Sequence, residues 1–226
     1  MKSLKYFSIA LGVILIDQTS KMLVYQNLAL GEEINVLGDW FRLHYLLNPG
    51  MAFGLRWNNE FGKLALTVFR IIAMVGIAWY LVRETKKGSH AGFLACLGLI
   101  LGGAVGNVID STFYGVLLHN QPVDAVTPWF HGQVIDMLYF PIFHFMWPEW
   151  MPYVGGEYFE FFSPVFNIAD SSIFIGVTSI LIFQKKFFTD TTSGTNSTDV
   201  PSQTPENSVP AEPAQTQTGE NDPGHG

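Results

Sequence analysis

The sequence has a single cysteine and little charge, and both shortages narrow what the chain can be. Cys96 has no second cysteine to pair with, so an internal disulfide and a cysteine-based metal cluster are excluded. We expect its thiol to be a small buried side chain rather than a nucleophile. Only 14% of the residues are charged and 48% are apolar, which is too hydrophobic for an ordinary soluble domain.

Lysine and arginine are missing from the whole segment 110–163, although it carries six acidic residues. Basic residues cluster instead near the chain's start, in the short loop 83–90 and after residue 184. They are Lys2, Lys5, Arg83, Lys86, Lys87, Lys185 and Lys186. By the positive-inside rule, both termini and the loop 83–90 are predicted to be cytoplasmic, and the segments 31–62 and 110–163 to face outward.

Four apolar stretches are long enough to be membrane spans, which need about 20 residues each. They cover approximately residues 4–28, 64–82, 91–109 and 164–183. The first stretch follows two lysines, as a signal peptide would, but no small-residue cleavage site comes after it, so we interpret it as an uncleaved helix. The predicted fold class is an all-α membrane protein built on a bundle of four transmembrane helices.

The regions outside the spans have distinct compositions. Residues 1–188 are predicted to form the membrane domain, and the polar segment 189–226 a disordered cytoplasmic tail, because it cannot bury enough apolar surface to fold. Aromatic and apolar residues at 40–47 predict a surface strand or hairpin, ended by a turn at 48–50. The outer segment 110–163 is rich in aromatic residues and is expected to lie against the bilayer.

Polar residues inside the apolar stretches are costly, at about 2.5–3.5 kcal/mol each near the bilayer centre. Those within the spans or at a span's end are Asp17, Lys21, Arg70, Asn107, Asp110 and Asp170. With a rise of about 1.5 Å per helical residue, all of them fall in one layer below the outer surface. Asp17 and Lys21, Asn107 and Asp110, and Asn167 and Asp170 are three or four residues apart, so each pair is predicted to share a helix face. We therefore predict a polar pocket that opens outward and sideways to lipid.

A structural interpretation of these residues stays open. Asp17 and Lys21 can form a simple intrahelical ion pair, and Asn107 and Asn167 can link helices by hydrogen bonds. Arg70 can reach the headgroups or neutralise a carboxylate. Structure alone does not need carboxylates from two separate segments, as at Asp136 and Asp170. Two carboxylates meeting at a membrane surface predict an acid/base pair that cleaves a peptide bond without metal or thiol.

Five sequence blocks resemble one family, in that family's order. They are Asp17-Gln18-Thr19-Ser20-Lys21, Asn48-Pro49-Gly50-Met51-Ala52-Phe53-Gly54, Gly102-Gly103-Ala104-Val105-Gly106-Asn107-Val108-Ile109-Asp110, Val134-Ile135-Asp136 and Phe166-Asn167-Ile168-Ala169-Asp170-Ser171. In these blocks the chain is similar to the bacterial lipoprotein signal peptidases, or signal peptidase II, which are integral-membrane aspartyl proteases. The resemblance implies that the substrates are diacylglyceryl-modified prolipoproteins, cut just before the lipidated cysteine at the outer side of the cell inner membrane.

The resemblance also assigns residues. It implies that Asp136 and Asp170 are the catalytic pair, with neither metal nor cofactor. The residues that it implies to shape the site are Asp17, Lys21, Asn48, Gly50, Asn107, Asp110, Asn167 and Ala169. The family fold adds an outward-facing β cradle, mapped to about 31–57, and a mobile outer helix, mapped to part of 111–133. Membrane lipid is an expected partner, nucleic acid is not, and a monomer is the expected form.

Two features depart from the family's pattern. Ser111 follows Asp110 where the family usually has arginine, so the role of that cation falls to another residue, with Arg70 and Lys21 as candidates, or is not needed. The segment 137–162 is longer than expected for the family. It either reshapes substrate access or only covers the outer surface.

The sequence argues against some other functions and leaves two of them open. His-Glu-x-x-His, Gly-x-Ser-Gly and Gly-x-Gly-Asp are all absent, which argues against other classes of intramembrane protease. The six histidines show no metal-binding spacing. Two alternatives stay open: a small membrane transporter, and a catalytically inactive homologue that binds lipoproteins.

Overall fold

The architecture is a helical bundle combined with two small antiparallel sheets. It comes from a computed structural model that describes residues 3–50, 60–123, 125–161 and 164–188. The predicted tail 189–226 and the part of the predicted cradle at 51–57 lie outside the described residues.

Among the residues that the structure describes, three helices are long and apolar enough to cross a membrane, at Leu4–Asn27, Gly62–Lys87 and Ala91–Leu117. The first is α1 (Leu4–Asn27), the second lies within α2 (Glu60–Lys87), and the third begins with α3 (Ala91–Ile109). The first two leave many large apolar side chains exposed, among them Leu15, Phe69 and Ile72. Such surfaces suit lipid rather than water, so these three helices are membrane-spanning candidates, in agreement with the first three apolar stretches of the sequence.

The end of α3 differs from the prediction. The helix continues through a π-helical turn, Asp110–Tyr114, and a short helix α4, Gly115–Leu117. The helical part of 111–133 is this continuation rather than a separate outer helix. The described residues from 118 to 133 form turns and loop. A π-turn places one extra residue in the helical repeat, and such turns are frequent at functional sites.

The fourth apolar stretch also differs from the prediction. Helix α5 is Ile168–Ile182, so the predicted start at residue 164 was wrong. Val165–Phe166 instead form strand β6, because they pair with another strand, and Asn167 caps the helix. With 15 residues, α5 is shorter than the three spanning candidates, and α6, Gln184–Phe188, follows it.

The larger sheet brings distant parts of the sequence together. Its strands, in spatial order, are β1 (Glu33–Leu37), β2 (Phe41–Asn48), β3 (Val134–Tyr139) and β6 (Val165–Phe166), all antiparallel. The predicted strand at 40–47 is confirmed as β2. The cradle also includes β3 and β6, which the sequence did not predict. A separate hairpin consists of β4 (Phe143–Met146) and β5 (Tyr158–Phe161).

Helix α3 packs against α1, α2 and α5, and apolar side chains fill the space around it. One core cluster includes Tyr6 and Ala10 of α1, Leu81 of α2 and Leu97 of α3. Cys96 belongs to the same cluster and is buried, as predicted. A second cluster joins Val24, Tyr45, Tyr114, Ile135 and Met137, and so attaches the sheet to α1 and the π-turn. This attachment fixes β3 beside the helix ends.

Candidate active site

Asp136 lies in the middle of β3 and receives hydrogen bonds from two asparagines, one at the end of β2 and one just after β6. Its side chain is buried, with 3% exposure. Asn48, the last residue of β2, donates from Nδ2 to Asp136 Oδ2 at 3.0 Å. Asn167, the residue after β6, donates from Nδ2 to Asp136 Oδ1 at 2.7 Å. Both oxygens of the carboxylate are therefore held by amide donors, and the sheet register sets their positions.

Asp170 lies in the first turn of α5, and the same Asn167 positions it. Asn167 is the N-cap of the helix, a position that asparagine favours because its side-chain oxygen accepts a backbone N–H. Here Asn167 Oδ1 accepts from the backbone N–H of Asp170 at 2.9 Å. Asp170 Oδ1 accepts from Asn107 Nδ2 at 2.7 Å. Asn167 and Asp170 are thus related as cap and first turn rather than by the shared helix face that their spacing predicted.

Asn167 links the Asp136 carboxylate to the backbone N–H of Asp170, and the negative charge of Asp170 acts on Asp136. Burial raises the pKa of Asp136 to about 7, and the negative charge of Asp170 acts in the same direction. The hydrogen bonds from Asn48 and Asn167 favour the ionised form and oppose that rise in pKa. A carboxyl group balanced in this way is populated in both protonation states at neutral pH, as an acid/base pair requires.

Lys21 is the centre of a second, ionic part of the site. Its Nζ lies 2.8 Å from Asp17 Oδ2 and 2.7 Å from Asp110 Oδ2, and all three side chains are fully buried. Lys21 also donates to Asn107 Oδ1 at 3.2 Å. Because the amide oxygen of Asn107 accepts from lysine, its NH₂ group is the part that donates to Asp170. The predicted Asp17–Lys21 ion pair is therefore confirmed, and it also orients a contact of Asp170.

Asp17 and Ala169 join α1 to α5. The backbone N–H of Ala169 donates to Asp17 Oδ1 at 2.9 Å, and Ala169 is fully buried. A Cβ atom at Gly106 of α3 would lie 2.7 Å from Asp17 Oδ2 and 3.3 Å from the Ala169 Cβ, closer than packing allows. The three helices can meet at this level only because residue 106 has no side chain.

Gly50 fixes the orientation of Asn48. Its φ of +94° is a conformation that side chains disfavour and glycine adopts readily. In that conformation the backbone N–H of Gly50 donates to Asn48 Oδ1 at 2.9 Å. The NH₂ group of Asn48 is then the part that faces Asp136.

The structure brings all ten predicted site residues into one hydrogen-bonded network. Two further members, Gln18 and Tyr114, were not predicted. Gln18 donates to Asp110 Oδ1 at 2.9 Å and accepts from the Tyr114 hydroxyl at 2.9 Å. Gln18 adjoins Asp17, and Tyr114 follows Asp110 by four residues, but only the packing of α1 on α3 shows that they meet.

Arg70 and Ser111 form a contact at the margin of this network. Arg70 donates from Nη1 to Ser111 Oγ at 2.8 Å, and Ser111 Oγ donates to the Asn107 carbonyl at 2.8 Å. Of the two cations weighed from the sequence, Arg70 is the one that contacts Ser111. Within the described ranges, no group of three His, Cys, Asp or Glu side chains is arranged to hold a metal ion.

Comparisons with known proteins agree on one family. A family model described as "Signal peptidase (SPase) II" matches residues 9–186. A lipoprotein signal peptidase of Amoebophilus asiaticus is 45% identical over 183 residues, which cover 79% of this chain and 76% of that protein. A lipoprotein signal peptidase of Porphyromonas gingivalis is 42% identical over 180 residues, covering 75% of this chain and 78% of its own.

The fold is similar to that of a solved structure described as a bacterial membrane enzyme, obtained by the in meso method at 2.3 Å resolution. The TM-score is 0.53 at 25% sequence identity. The match covers 85% of this chain and 93% of that one.

Proposed function

This chain belongs to the signal peptidase II family of membrane aspartyl peptidases, and we propose that it cleaves lipid-modified prolipoproteins with Asp136 and Asp170 as its acid/base pair. The substrate would be a prolipoprotein whose cysteine carries a diacylglyceryl thioether, and the cut would fall just before that cysteine. The observation that carries the proposal is the buried Asp136 carboxylate beside the partly buried Asp170: Asn167 bonds the Asp136 carboxylate and the Asp170 backbone N–H, and a further asparagine donates to each carboxylate.

In the proposed mechanism the two carboxyl groups share one proton at neutral pH. The ionised carboxylate removes a proton from a water molecule, whose oxygen attacks the scissile carbonyl carbon. The protonated carboxyl group donates to the carbonyl oxygen, and a proton then passes to the leaving amine as the C–N bond breaks. Either aspartate can start as the base, because the pair titrates as a unit.

The surrounding residues act by positioning the pair. The NH₂ groups of Asn48, Asn107 and Asn167 each donate to an aspartate oxygen, so they fix where the carboxylates point. Lys21 orients Asn107, and the Asp17–Ala169 bond holds the first turn of α5. Preorganised groups of this kind lower the barrier because little has to move during the reaction.

We further propose the topology that the sequence predicted. Helix α5 covers about 22 Å of the roughly 30 Å hydrocarbon core, and with α6 it would form the fourth crossing. Both termini would be cytoplasmic and the carboxylates would lie near the outer surface, where water can enter. The signal peptide would lie in the bilayer with the acyl chains between helices, and one copy of the chain would suffice.

Cleavage by the purified protein in detergent tests this proposal, with a diacylglyceryl-modified prolipoprotein as substrate. The variants are Asp136→Asn and Asp170→Asn, and Asp39→Asn is the matched control because Asp39 is exposed in the β1–β2 turn. We expect each site variant to lose about a hundred- to ten-thousandfold in kcat/KM and the control to keep wild-type activity. Near-normal cleavage by a site variant would show that another carboxylate does the chemistry. Substrate binding without cleavage by the wild type would favour the inactive homologue.

A further inference from the structure

Arg70 reaches the site from α2 and is held there by an uncharged partner. Its Nη1 donates to Ser111 Oγ, and the single hydroxyl proton of Ser111 is directed to the Asn107 carbonyl. The hydroxyl oxygen is therefore the acceptor for the guanidinium. A neutral oxygen that already donates elsewhere fixes the position of a cation without neutralising it.

The Arg70 guanidinium has more N–H donors than the described residues have acceptors for it. It carries five N–H groups, and within the described part of the chain only Ser111 accepts from it. No carboxylate of those residues lies within 4.0 Å of it, although the charges of Asp170, Asp110 and Asp136 act on it from further away. An arginine at membrane depth normally pairs with a carboxylate or with backbone carbonyls. An oxygen from the substrate would complete this arrangement.

The Arg70 guanidinium lies beside the residues that position Asp136 and beside those that position Asp170. A Cβ atom at Gly50 would be 3.8 Å from Nη2 and 3.9 Å from Nη1, so the group packs against the turn that orients Asn48 and, through it, Asp136. Ser111 connects the same group to Asn107, the partner of Asp170. A substrate oxygen bound by Arg70 would thus lie close to both carboxylates.

We infer that Arg70 is a substrate-binding residue whose remaining N–H groups donate to a carbonyl oxygen of the prolipoprotein beside the bond that is cut. The oxygen belongs either to the peptide backbone or to an acyl ester of the diacylglyceryl group, since both are planar carbonyl acceptors that a guanidinium fork can bind. This inference rests on the proposed function and adds to it the group that holds the substrate against the pair.

Steady-state kinetics with Arg70→Gln and Arg70→Lys test the inference. Arg83→Gln is the matched control, because it removes the same charge about 20 Å further along α2, where Arg83 lies over the Trp79 ring. For Arg70→Gln we expect KM to rise at least about tenfold, since a charge-assisted hydrogen bond is lost, with a smaller change in kcat. Arg70→Lys should recover part of the loss, and Arg83→Gln should match the wild type.

The pH profile of kcat/KM distinguishes an Arg70 that binds substrate near Asp136 and Asp170 from an Arg70 that only supports the fold. Removing a positive charge that acts on Asp136 makes the ionisation of that carboxyl group less favourable, so the profile of Arg70→Gln should move to higher pH. A residue that only supported the fold would lower the melting temperature and leave both KM and the profile unchanged.

The reciprocal exchange Arg70→Ser with Ser111→Arg guards against a folding failure. Arg70 Nη1 and Ser111 Oγ are in hydrogen-bond contact. An arginine at position 111 can therefore place its guanidinium nearly where that of Arg70 lies, although its side chain comes from α3's π-turn instead of α2. We expect the KM of the double variant to return most of the way from the raised value of Arg70→Gln to the wild-type value. If it remains as impaired as Arg70→Gln while melting like the wild type, the position of the guanidinium is not what binds the substrate.

A dialkyl-ether analogue of the lipidated substrate identifies the oxygen. If the ester carbonyl is the ligand, the effect of Arg70→Gln disappears with the ether substrate; if the peptide carbonyl is the ligand, the fold-change is the same for both. A wild-type KM for Arg70→Gln on both substrates would overturn the inference and leave the proposed function intact. Failure of the wild type to cleave either substrate would overturn the proposed function itself.

Discussion

Asn48, at the end of β2, and Asn167, between β6 and α5, donate to the same carboxylate. Burial and the charge of Asp170 favour the neutral form of Asp136, whereas the two amide donors favour the ionised form. The resulting pKa of about 7 is a balance between opposed effects rather than the property of one contact. Removing either amide donor should therefore change the pH at which the site works.

Replacing Asn48 by alanine should move the pH dependence of kcat/KM upward. The substitution removes the hydrogen bond that Asn48 donates to Asp136 Oδ2, which stabilises the ionised carboxylate. The neutral form of Asp136 is then favoured, and its pKa rises. The limb that Asp136 controls moves to higher pH whether this residue is the base or the acid, because its own pKa has risen in both cases. Asn27→Ala is the control, since Asn27 is exposed and donates only to its own helix. A profile of Asn48→Ala that shifts downward or stays in place would contradict this balance.

The sequence predicted single site residues better than it predicted their partners. Asp17 and Lys21 are four residues apart on one helix, so their ion pair followed from local geometry. The second carboxylate on Lys21, from Asp110, depends on how α3 packs on α1. Gln18 and Tyr114 were missed for the same reason, because no local spacing connects them.

Small residues determine how closely the helices of the bundle approach one another. A Cβ atom at Gly103 would overlap the Ala169 carbonyl oxygen and lie 2.7 Å from Ile173 Cγ1, so α3 and α5 pack backbone to backbone. Gly102 makes a similar approach to Ala10 and Val13 of α1. Interfaces between membrane helices are commonly built on such residues.

Gly103→Ala should destabilise the bundle. The added methyl group meets backbone that cannot rotate away, so α5 has to shift, at a cost of about 1–3 kcal/mol. Thermal unfolding in detergent should show a lower melting temperature, and cleavage should fall because Asp170 moves with α5. Gly76→Ala is the matched control, since nothing lies within 4 Å of a Cβ there and its melting temperature should not decrease. Equal melting of the two variants would argue against close packing of α3 on α5.

Helices and strands were predictable where the sequence of the segment itself determines them, and less so where a distant segment does. Length and hydropathy gave α1 and α3 almost to the residue. The start of α5 was wrong because Val165–Phe166 are apolar enough to continue a helix, yet they form β6 by pairing with Tyr139 and Leu138. That pairing partner comes from a distant segment, which hydropathy does not reveal. The π-turn likewise had no periodic signal.

The whole molecule has an uneven distribution of charge between its two sides. Seven of the twelve basic residues belong to the termini or to the loop 83–90, and the segment 110–163 has none; Lys63, in the first turn of α2, lies at the other end of that helix. The buried Asp17–Lys21–Asp110 cluster and the two candidate catalytic aspartates lie toward the opposite side from those seven basic residues along the helices. This asymmetry is the basis of the proposed orientation.

Reporter fusions in a bacterial host test that orientation. Alkaline phosphatase fused at the C-terminus should be inactive, and a fluorescent protein fused there should fluoresce, because the C-terminus is proposed to be cytoplasmic. Phosphatase fused after Leu118, beyond the end of α3, should be active, and this is the matched control for expression. The reverse pattern would place the aspartates on the cytoplasmic side and contradict the proposed access of water and substrate.

The ion pair within α1 also bears on the order in which the protein is made. Helix α1 precedes α3 in the sequence, so Lys21 is synthesised before Asn107 and Asp110. Asp17, one turn away and in contact with Lys21, lets the nascent helix insert as a nearly neutral segment. When α3 arrives, Asp110 adds a second carboxylate to the same ammonium group. The Asp17–Lys21 ion pair of the finished site therefore also lowers the cost of keeping α1 in the membrane before the other helices are inserted.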